Sequence, residues 1–504
     1  MVSLLALLLI APHTQATPTD PSYFDGAFVN HFTSDPVSST YTQRYYESST
    51  YFKGPGHPIF LVMGGEGTIE PSTGLFYPYI NEVLASKFGA YVIEPEHRFY
   101  GESLPVVNAT NDDLKLLMTP EQALYDAVTL VNSLRKDLGC TAKGTPTYCP
   151  VISVGGSYPG FLSFSMRLLF PQHIDASYAA SAPVKFYAQQ VDGEEYYDLI
   201  AKSAERSLPG CAKSIETTLS DFKESLVDLT YEEVASKLLN ICPSIPSYID
   251  NNEKFYQEVQ MVSVDEERSD GFYLFLTLAF VQVIAYTFAG LNMANYPPND
   301  DTELNEVCKS WTEKDSDWAS KFNFLFSTLI EDGEDSCFDL NSQLPAGSKG
   351  TISSGDWSGV GSGADGKMWD YQTCSLLVER IDITETFGDR TWTLDWMNDH
   401  CQDRFGISPS PNLLAKTWGF DDILSTPLTR VLFTNGLNDG WSVGSITETL
   451  SEERQLVAMN FPNGAHHSDL SHSDPGPDDT EDIQKGHEEI AELLGQWLEE
   501  IMKE

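Results

Sequence analysis

Basic residues are scarce in this sequence. Its 504 residues include 30 Lys and Arg against 74 Asp and Glu, which gives a formal net charge of −44 and an isoelectric point near 4.3. Such a chain repels both the phosphate backbone of a nucleic acid and an anionic membrane surface. We therefore predict no nucleic-acid partner and no membrane docking. The 36 glycines and the 12% aromatic content fit a globular protein rather than a fibrous or disordered one.

Cysteine is also sparse, and its spacing is not that of a metal site. None of the eight cysteines belongs to a C-x-x-C pair, which argues against zinc. An even number of cysteines in an exported chain indicates disulfide bonds. Cys140 and Cys149 are close enough in sequence to close a local loop, whereas the other pairings stay open. The eight are Cys140, Cys149, Cys211, Cys242, Cys308, Cys337, Cys374 and Cys401.

The N-terminus has the pattern of an export signal. Residues 1–11 are an apolar run of signal-peptide length, and Thr14 and Ala16 put small residues at the −3 and −1 positions of a cleavage site. We therefore expect residues 1–16 to be a signal peptide. Asn108 lies in the single N-x-S/T sequon and is a candidate for glycosylation in an exported protein.

A second apolar run, residues 271–291, is long enough to suggest a membrane span. It contains Thr277, Gln282 and Thr287, lacks a basic flank and leads into a Pro-Pro turn. These features favour a buried helix or helix pair. We predict no transmembrane segment here.

Short apolar runs and one capped helix predict a parallel sheet. Residues 58–63 (PIFLVM), 90–93 (AYVI) and 151–154 (VISV) are mostly or wholly apolar, as expected of strands buried on both faces. Before the third run, residues 119–138 have helical periodicity, with Thr119 as the N-cap. This order of strand, helix and strand indicates an α/β fold.

The middle of the chain is helical in pattern, and strands return near its end. Helix-like stretches include 220–239 and 304–332, whereas strand-like runs return at 429–434 (TRVLFT) and 455–459, before an amphipathic helix around 483–502. A sheet interrupted by a mainly helical insertion is the simplest interpretation. We predict a signal peptide at 1–16, the two parts of the α/β domain at 17–185 and 416–504, and the helical insertion at 186–415.

Ser157 is in the sequence context of a catalytic nucleophile. The run 151–154 leads into GGSYPG around Ser157 and then into the helix-compatible FLSFSMRLLF. Small residues beside such a serine let the backbone form a strained turn that exposes the hydroxyl above the sheet. The pattern departs from G-x-S-x-G, because Pro159 takes the last position and Gly160 follows it. A glycine-rich packing turn is the alternative interpretation.

Asp439 and His466 are the candidate partners of this serine. Asp439 follows the run 429–434 in NGLNDGW, and His466 follows the next run in GAHHSDL, with His467 as the second choice. A serine hydroxyl needs a base, and the base needs a residue that orients it. The chain order Ser, Asp, His is that of the α/β-hydrolases. A turn aspartate and a surface or metal-binding histidine pair are the alternatives.

Two backbone N–H groups are expected to form an oxyanion hole. One belongs to Tyr158, which follows the nucleophile, and the other to the loop 64–67 (GGEG), where we name Gly65. Glycines in this loop allow the backbone to approach a substrate closely.

Together these motifs resemble a family of serine peptidases that includes lysosomal Pro-X carboxypeptidase, dipeptidyl peptidase II, thymus-specific serine protease and fungal secreted prolyl endopeptidases. The resemblance covers nearly the whole chain after the expected signal peptide. Besides the segments that contain the three candidate catalytic residues, it includes 42–46 (TQRYY), 64–67 (GGEG), 96–103 (EHRFYGES) and 369–374 (WDYQTC).

The resemblance implies an α/β-hydrolase domain with a mainly helical cap inserted before the triad aspartate, and cleavage of peptides after proline. It assigns the triad to Ser157, Asp439 and His466. The sequence departs from the family beside the aspartate, where Asn438 replaces the usual Leu or Tyr and Gly440 replaces the usual Pro.

Other residues that match the family are candidates for substrate binding. Glu66 is a candidate to meet the amino end of a peptide. Trp369, Tyr371 and Trp441 are candidates to line an apolar proline pocket, although aromatic residues more often pack in a core. We expect residues 96–98 (EHR) to form a buried ionic cluster below the site.

The sequence as a whole predicts a secreted or lysosome-like serine exopeptidase, either a Pro-X carboxypeptidase or a dipeptidyl peptidase, that works through an acyl-enzyme. A prolyl endopeptidase, an esterase on the same scaffold and a secreted peptide-binding protein without catalysis are the alternatives. No metal or organic cofactor is implied. The expected partners are proline-containing peptides, and the sequence leaves open whether the chain forms a homodimer.

Overall fold

The computed structural model describes residues 20–33, 39–73, 75–226, 271–313, 316–329, 366–471 and 479–504, with the isolated positions 229, 233, 234, 237 and 238. The expected signal peptide, Cys242 and Cys337 lie outside the described residues.

The described strands form one sheet in the order β1-β2-β4-β3-β5-β6-β7-β8. β2 pairs antiparallel with β1 and β4, and the other neighbours are parallel. The strands are β1 (Ser22–Phe28), β2 (Thr40–Ser48), β3 (Ile59–Val62), β4 (Tyr91–Pro95), β5 (Val151–Gly156), β6 (Ala176–Ala180), β7 (Val431–Gly436) and β8 (Leu456–Phe461). The described α-helices are α1 (Ala85–Phe88), α2 (Asn111–Leu117), α3 (Pro120–Asp137), α4 (Tyr158–Leu169), α5 (Val184–Tyr187), α6 (Glu195–Ser207), α7 (Cys211–Ser225), α8 (Gly271–Met293), α9 (Glu303–Thr312), α10 (Trp318–Leu329), α11 (Gly366–Ser375), α12 (Leu394–Phe405), α13 (Leu413–Trp418), α14 (Ser468–Ser471) and α15 (Glu481–Ile501).

Contacts divide the described residues into two compact units. The sheet unit contains all the strands above and comprises the described residues up to Gln190, with Pro411–Leu437 and Gly444–Glu504. The helical unit comprises the described residues of Val191–Ser410 and the short segment Asn438–Val443. The helical unit therefore interrupts the sheet between β6 and β7 in the sequence. This strand order with a helical insertion confirms the predicted α/β-hydrolase fold with a helical cap.

The strands predicted from apolar runs are confirmed. β3, β5 and β7 are buried at every residue, as expected of central parallel strands covered on both faces. β6 was missed because its sequence, ASYAA, lacks the β-branched residues that identify strands. α4 packs closely on this strand at Gly160, where a Cβ would lie 2.6 Å from the carbonyl oxygen of Ala180. The strands β1 and β2 were also not predicted.

The observed helix bounds agree with the predicted ones where the sequence has a capping residue or a clear helical periodicity. α3 begins after Thr119, whose hydroxyl accepts a hydrogen bond of 3.3 Å from the Gln122 N–H, as predicted. The predicted helix at 220–239 was wrong at its start, because α7 already begins at Cys211, and most of residues 227–239 lie outside the described residues. The predicted helix at 304–332 is two helices, since Glu313 leaves the helical conformation with φ −61° and ψ 124°.

The long apolar run forms the single helix α8, so the prediction of a buried helix is confirmed. Phe280, Ile284 and Phe288 on this helix are 0% exposed. Among the described residues, no helix combines the length and apolar character that crossing a bilayer requires.

Three disulfide bonds join described cysteines. Cys140–Cys149 closes the predicted local loop. Cys211–Cys308 links α7 to α9, and Cys374–Cys401 links α11 to α12, so two of the bonds tie helices of the helical unit together.

Candidate active site

Ser157 lies in a sharp turn between β5 and α4. Its backbone has φ 62° and ψ −133°, a combination that residues with a side chain rarely adopt and that costs on the order of 1–3 kcal/mol. Hydrogen bonds hold the turn in place: the Ser157 N–H donates to Ala180 O at 2.9 Å, and its carbonyl accepts from the Phe161 N–H at 3.0 Å. The turn therefore has the strain expected of a nucleophile elbow.

Close contacts around Ser157 leave no room for a side chain at the glycines before it. A Cβ on Gly155 would lie 2.2 Å from Pro159 O, and one on Gly156 would lie 2.7 Å from Cγ of His467. Neither position accepts a side chain without movement of the turn. The glycine-rich sequence is thus explained by the packing of the turn itself.

Pro159 packs against the loop that was predicted to supply an oxyanion donor. A Cβ on Gly65 would lie 2.5 Å from Cγ of Pro159. The loop 64–67 therefore lies against the first turn of α4. Tyr158 is the first residue of that helix, where backbone N–H groups and the helix dipole favour a negative charge.

The side chain of Tyr158 is buried and contacts a neutral histidine. His97 Nδ1 lies 2.8 Å from Arg98 O, and its Nε2 lies 3.0 Å from the Tyr158 hydroxyl. Because a carbonyl can only accept, Nδ1 carries the proton and Nε2 accepts from Tyr158. Burial lowers the pKa of His97 to about 4, so the ring is neutral near neutral pH.

A buried ionic network holds the segment that contains His97. The carboxylate of Glu96 accepts hydrogen bonds from Arg44 Nη2 at 2.5 Å and from Ser103 Oγ at 2.7 Å. Arg98 donates to both oxygens of Asp126, at 2.6 and 2.8 Å. Glu96 and Arg98 are 0% exposed, so residues 96–98 form the buried cluster that the sequence predicts.

The two histidines follow β8 and lie in the same unit as Ser157. Their rings are 4.6 Å apart, and His466 is 9% exposed. The His467 N–H donates to Ser181 Oγ at 3.0 Å, and its ring packs beside Gly156. Burial, followed by the charge of His466, lowers the pKa of His467 to about 3. His467 is therefore neutral over the physiological range.

A tyrosine that the sequence reasoning missed borders the turn, and a buried glutamate that it also missed lies near this tyrosine. The Tyr77 hydroxyl accepts a hydrogen bond of 3.1 Å from the Gly156 N–H. Glu94 accepts from the Phe76 N–H at 2.7 Å, and burial raises its pKa to about 8. Phe76 and Tyr77 have φ of 65° and 50°, which the sequence did not indicate. The sequence did contain one signal for this buried group, which is Glu94 itself, a single acidic residue in the apolar strand β4.

The predicted contact of Glu66 with a substrate remains a prediction. Glu66 is half-buried in the loop 64–67, and its charge contributes to the raised pKa of Tyr77, which is due mainly to burial. This places Glu66 among the groups near the Ser157 turn within the sheet unit.

Asp439 belongs to the helical unit by its contacts, although it follows β7 by only three residues. It is 0% exposed, and its Oδ1 accepts a hydrogen bond of 3.1 Å from the Trp441 N–H. Its backbone carbonyl accepts from the Ser442 N–H at 3.0 Å. The carboxylate is thus held in a defined loop.

The three aromatic candidates also belong to the helical unit. Trp369 and Tyr371 on α11 are 5% and 2% exposed, and the Tyr371 ring packs edge-on against Phe405 at 5.2 Å. Trp441 is 6% exposed and packs against Tyr196 at the same centroid distance of 5.2 Å. Tyr371 and Trp441 have ring partners in this unit, and the role of all three residues in a proline pocket stays a prediction.

One group of described residues has the spacing of metal ligands. The ligand atoms of Asp370, Cys374 and His400 lie within 4.8 Å of one another. Cys374 is bonded to Cys401 and cannot supply a thiolate, and Asp370 accepts from His400 at 3.0 Å and from Arg404 at 2.5 Å. We therefore interpret the group as a structural cluster that links α11 to α12.

The sequon asparagine is on the surface. Asn108 is exposed and precedes α2, and the sequon hydroxyl of Thr110 caps that helix by accepting from the Asp113 N–H at 3.2 Å. Glycosylation at Asn108 remains a prediction.

Comparison with known proteins identifies the family. The family described as Serine carboxypeptidase S28 matches residues 28–490. This chain belongs to the S28 family. Lysosomal Pro-X carboxypeptidases of Pongo abelii and Homo sapiens are each 27% identical over 467 residues, covering 88% of this chain and 81% of theirs. The thymus-specific serine protease of Mus musculus is 26% identical over 482 residues, covering 92% and 85%.

Membership of the S28 family establishes the class of reaction. The chain is a serine-type peptidase, and its substrates are peptides.

Proposed function

We propose that this S28 peptidase is an exopeptidase that cleaves peptides after proline, with Ser157 as nucleophile, His466 as general base and Asp439 as the residue that orients the base. The observation that carries the proposal is the strained Ser157 turn between β5 and α4, in a chain of the S28 family. The order of the three residues along the chain supports it further.

The chemistry follows from these assignments. Ser157 Oγ attacks the carbonyl carbon of the scissile bond while His466 accepts its proton. The oxyanion receives hydrogen bonds from the backbone N–H of Tyr158 and of the Gly65 loop. His466 then gives the proton to the leaving amine, and an acyl-enzyme remains. Water, deprotonated by His466, hydrolyses this ester and restores Ser157.

The pKa of His467 supports His466 as the base. A general base has to take up a proton during the reaction, which is favourable when its pKa lies near the operating pH. The ring of His467, with a pKa of about 3, does not do so near neutrality, and it packs beside Gly156 as a neutral group. We therefore assign His467 to positioning the turn.

The names of the relatives support cleavage after proline and the carboxypeptidase direction. The primate relatives are described as lysosomal Pro-X carboxypeptidases. We accordingly propose a Pro-X carboxypeptidase that is secreted or reaches the lysosome by the secretory route.

Mass spectrometry of the products of one proline-containing peptide tests the proposal. The peptide is offered with both ends unblocked, with a blocked amino end and with a blocked carboxyl end, beside the Ser157→Ala variant. Loss of cleavage on blocking the carboxyl end is expected, and loss on blocking the amino end would identify a dipeptidyl peptidase. Cleavage of all forms would identify an endopeptidase, and activity that survives in Ser157→Ala would refute the triad.

A further inference from the structure

We propose that Asn292 is a positioning residue that holds Asp439 in its working conformation. This inference rests on the role proposed above for Asp439 in the triad. Asn292 lies in the last turn of α8, far from Asp439 in sequence but in the same unit.

The side-chain amide of Asn292 spans the backbone on both sides of Asp439. Its Nδ2 donates to Asn438 O at 2.5 Å, and its Oδ1 accepts from the Gly440 N–H at 2.9 Å. One planar group thus fixes the residue before and the residue after the aspartate. The direction in which the Asp439 side chain leaves the backbone depends on this pair of bonds.

Both hydrogen bonds are buried, which makes their loss costly. Asn292 is 0% exposed and Asn438 is 6% exposed, so water does not readily replace either bond. A buried backbone group that loses its partner is strongly disfavoured, and the loop would have to move to satisfy it. This pair of hydrogen bonds therefore requires an amide side chain, which offers a donor and an acceptor in a fixed plane.

Gly440 completes the arrangement. A Cβ at this position would lie 2.9 Å from Cε2 of Tyr196 and 3.1 Å from Cγ1 of Ile200. The absence of a side chain lets the loop pack against α6 while its N–H reaches Asn292. A proline at this position would have no N–H and would remove the hydrogen bond to Asn292 Oδ1.

The closing experiment compares two substitutions of the same type. Asn292→Leu removes both bonds at nearly constant size. Asn305→Leu is the matched control, because Asn305 is 1% exposed in the same unit and its Nδ2 donates to Ser207 O at 2.7 Å. Both variants should lose thermal stability, which measures their structural role.

Only Asn292→Leu should also lose catalysis. We expect its kcat to fall by on the order of 100-fold with KM little changed, because a displacement of about 1 Å in a catalytic group has an effect of this size. The kcat of Asn292→Asp relative to wild type at the same pH should rise as the pH falls, since a protonated carboxyl again offers a donor to Asn438 O. This variant decides the question if Asn292→Leu does not fold.

The outcomes separate this inference from the proposed function. Wild-type kcat in a folded Asn292→Leu, or a fall in kcat equal to that of Asn305→Leu, would overturn the positioning role. The triad would still stand if Asp439→Ala is inactive. Wild-type activity in Asp439→Ala would overturn both.

Discussion

Replacing Gly156 by alanine places a methyl group against His467. The new Cβ would lie 2.7 Å from Cγ and 3.0 Å from Cβ of the histidine, whereas ordinary contacts begin at 3.4 Å, so the two must separate by 3.4 − 2.7 = 0.7 Å. The contacting atoms are at the base of the His467 side chain, close to its backbone. A rotamer change therefore does not relieve the contact, and the histidine loop or the Ser157 turn has to move.

The expected effect is larger on catalysis than on stability. Overpacking of this kind costs about 1–3 kcal/mol of folding free energy. A shift of 0.7 Å next to the proposed nucleophile should lower the rate of acylation by on the order of 10- to 100-fold. We expect Gly156→Ala to fold, to melt at a lower temperature and to react slowly with a fluorophosphonate probe.

Gly495→Ala is the control for the substitution itself. Gly495 lies within α15, and a Cβ there would meet Phe88 at an ordinary 3.4 Å. This change should raise stability by about 0.5–1 kcal/mol, because alanine favours a helix over glycine. Wild-type labelling of Gly156→Ala would refute the tight packing between the turn and His467.

Three further predictions follow from individual contacts. His466→Ala should lower kcat/KM by at least about 100-fold, the usual contribution of a general base, whereas His467→Gln should lower it less, as steady-state kinetics can show. The native pKa of Glu94 is raised from 4.5 to about 8, so the native state holds a proton that the unfolded state releases. Stability should therefore fall as the pH rises from about 4.5 to 8, and denaturant melts of Glu94→Gln should lack this loss. Asp126→Asn should lower unfolding free energy by about 3–5 kcal/mol in the same assay, because Arg98 would be left as a buried charge without its carboxylate.

Much of the Ser157 turn was predictable because local rules determine it. Buried parallel strands such as β5 are apolar throughout, and the glycines beside Ser157 identify a turn that tolerates no side chain. The cap at Thr119 was predictable for the same reason, since a hydroxyl before a helix has one favoured partner. These features need only neighbours in sequence.

Other parts of the site depend on partners that are distant in sequence. Tyr77 reaches the Gly156 N–H across 79 positions, and Asn292 reaches the segment around Asp439 across almost 150. The positive φ of Phe76 is likewise set by packing, since phenylalanine alone does not favour it. No period or short motif encodes such pairs, so the sequence alone did not identify them.

The buried titratable groups near Ser157 share one property, which is that burial favours their neutral forms. The pKa values of His97 and His467 are lowered to about 4 and about 3, and that of Glu94 is raised to about 8. Between about pH 5 and pH 7, at least about one unit from each of these pKa values, the three groups therefore change charge little. A change of activity within that window belongs to other groups, and His466 is the one to which the proposed mechanism assigns a proton transfer. The pH profile of kcat/KM thus becomes a direct test of that assignment.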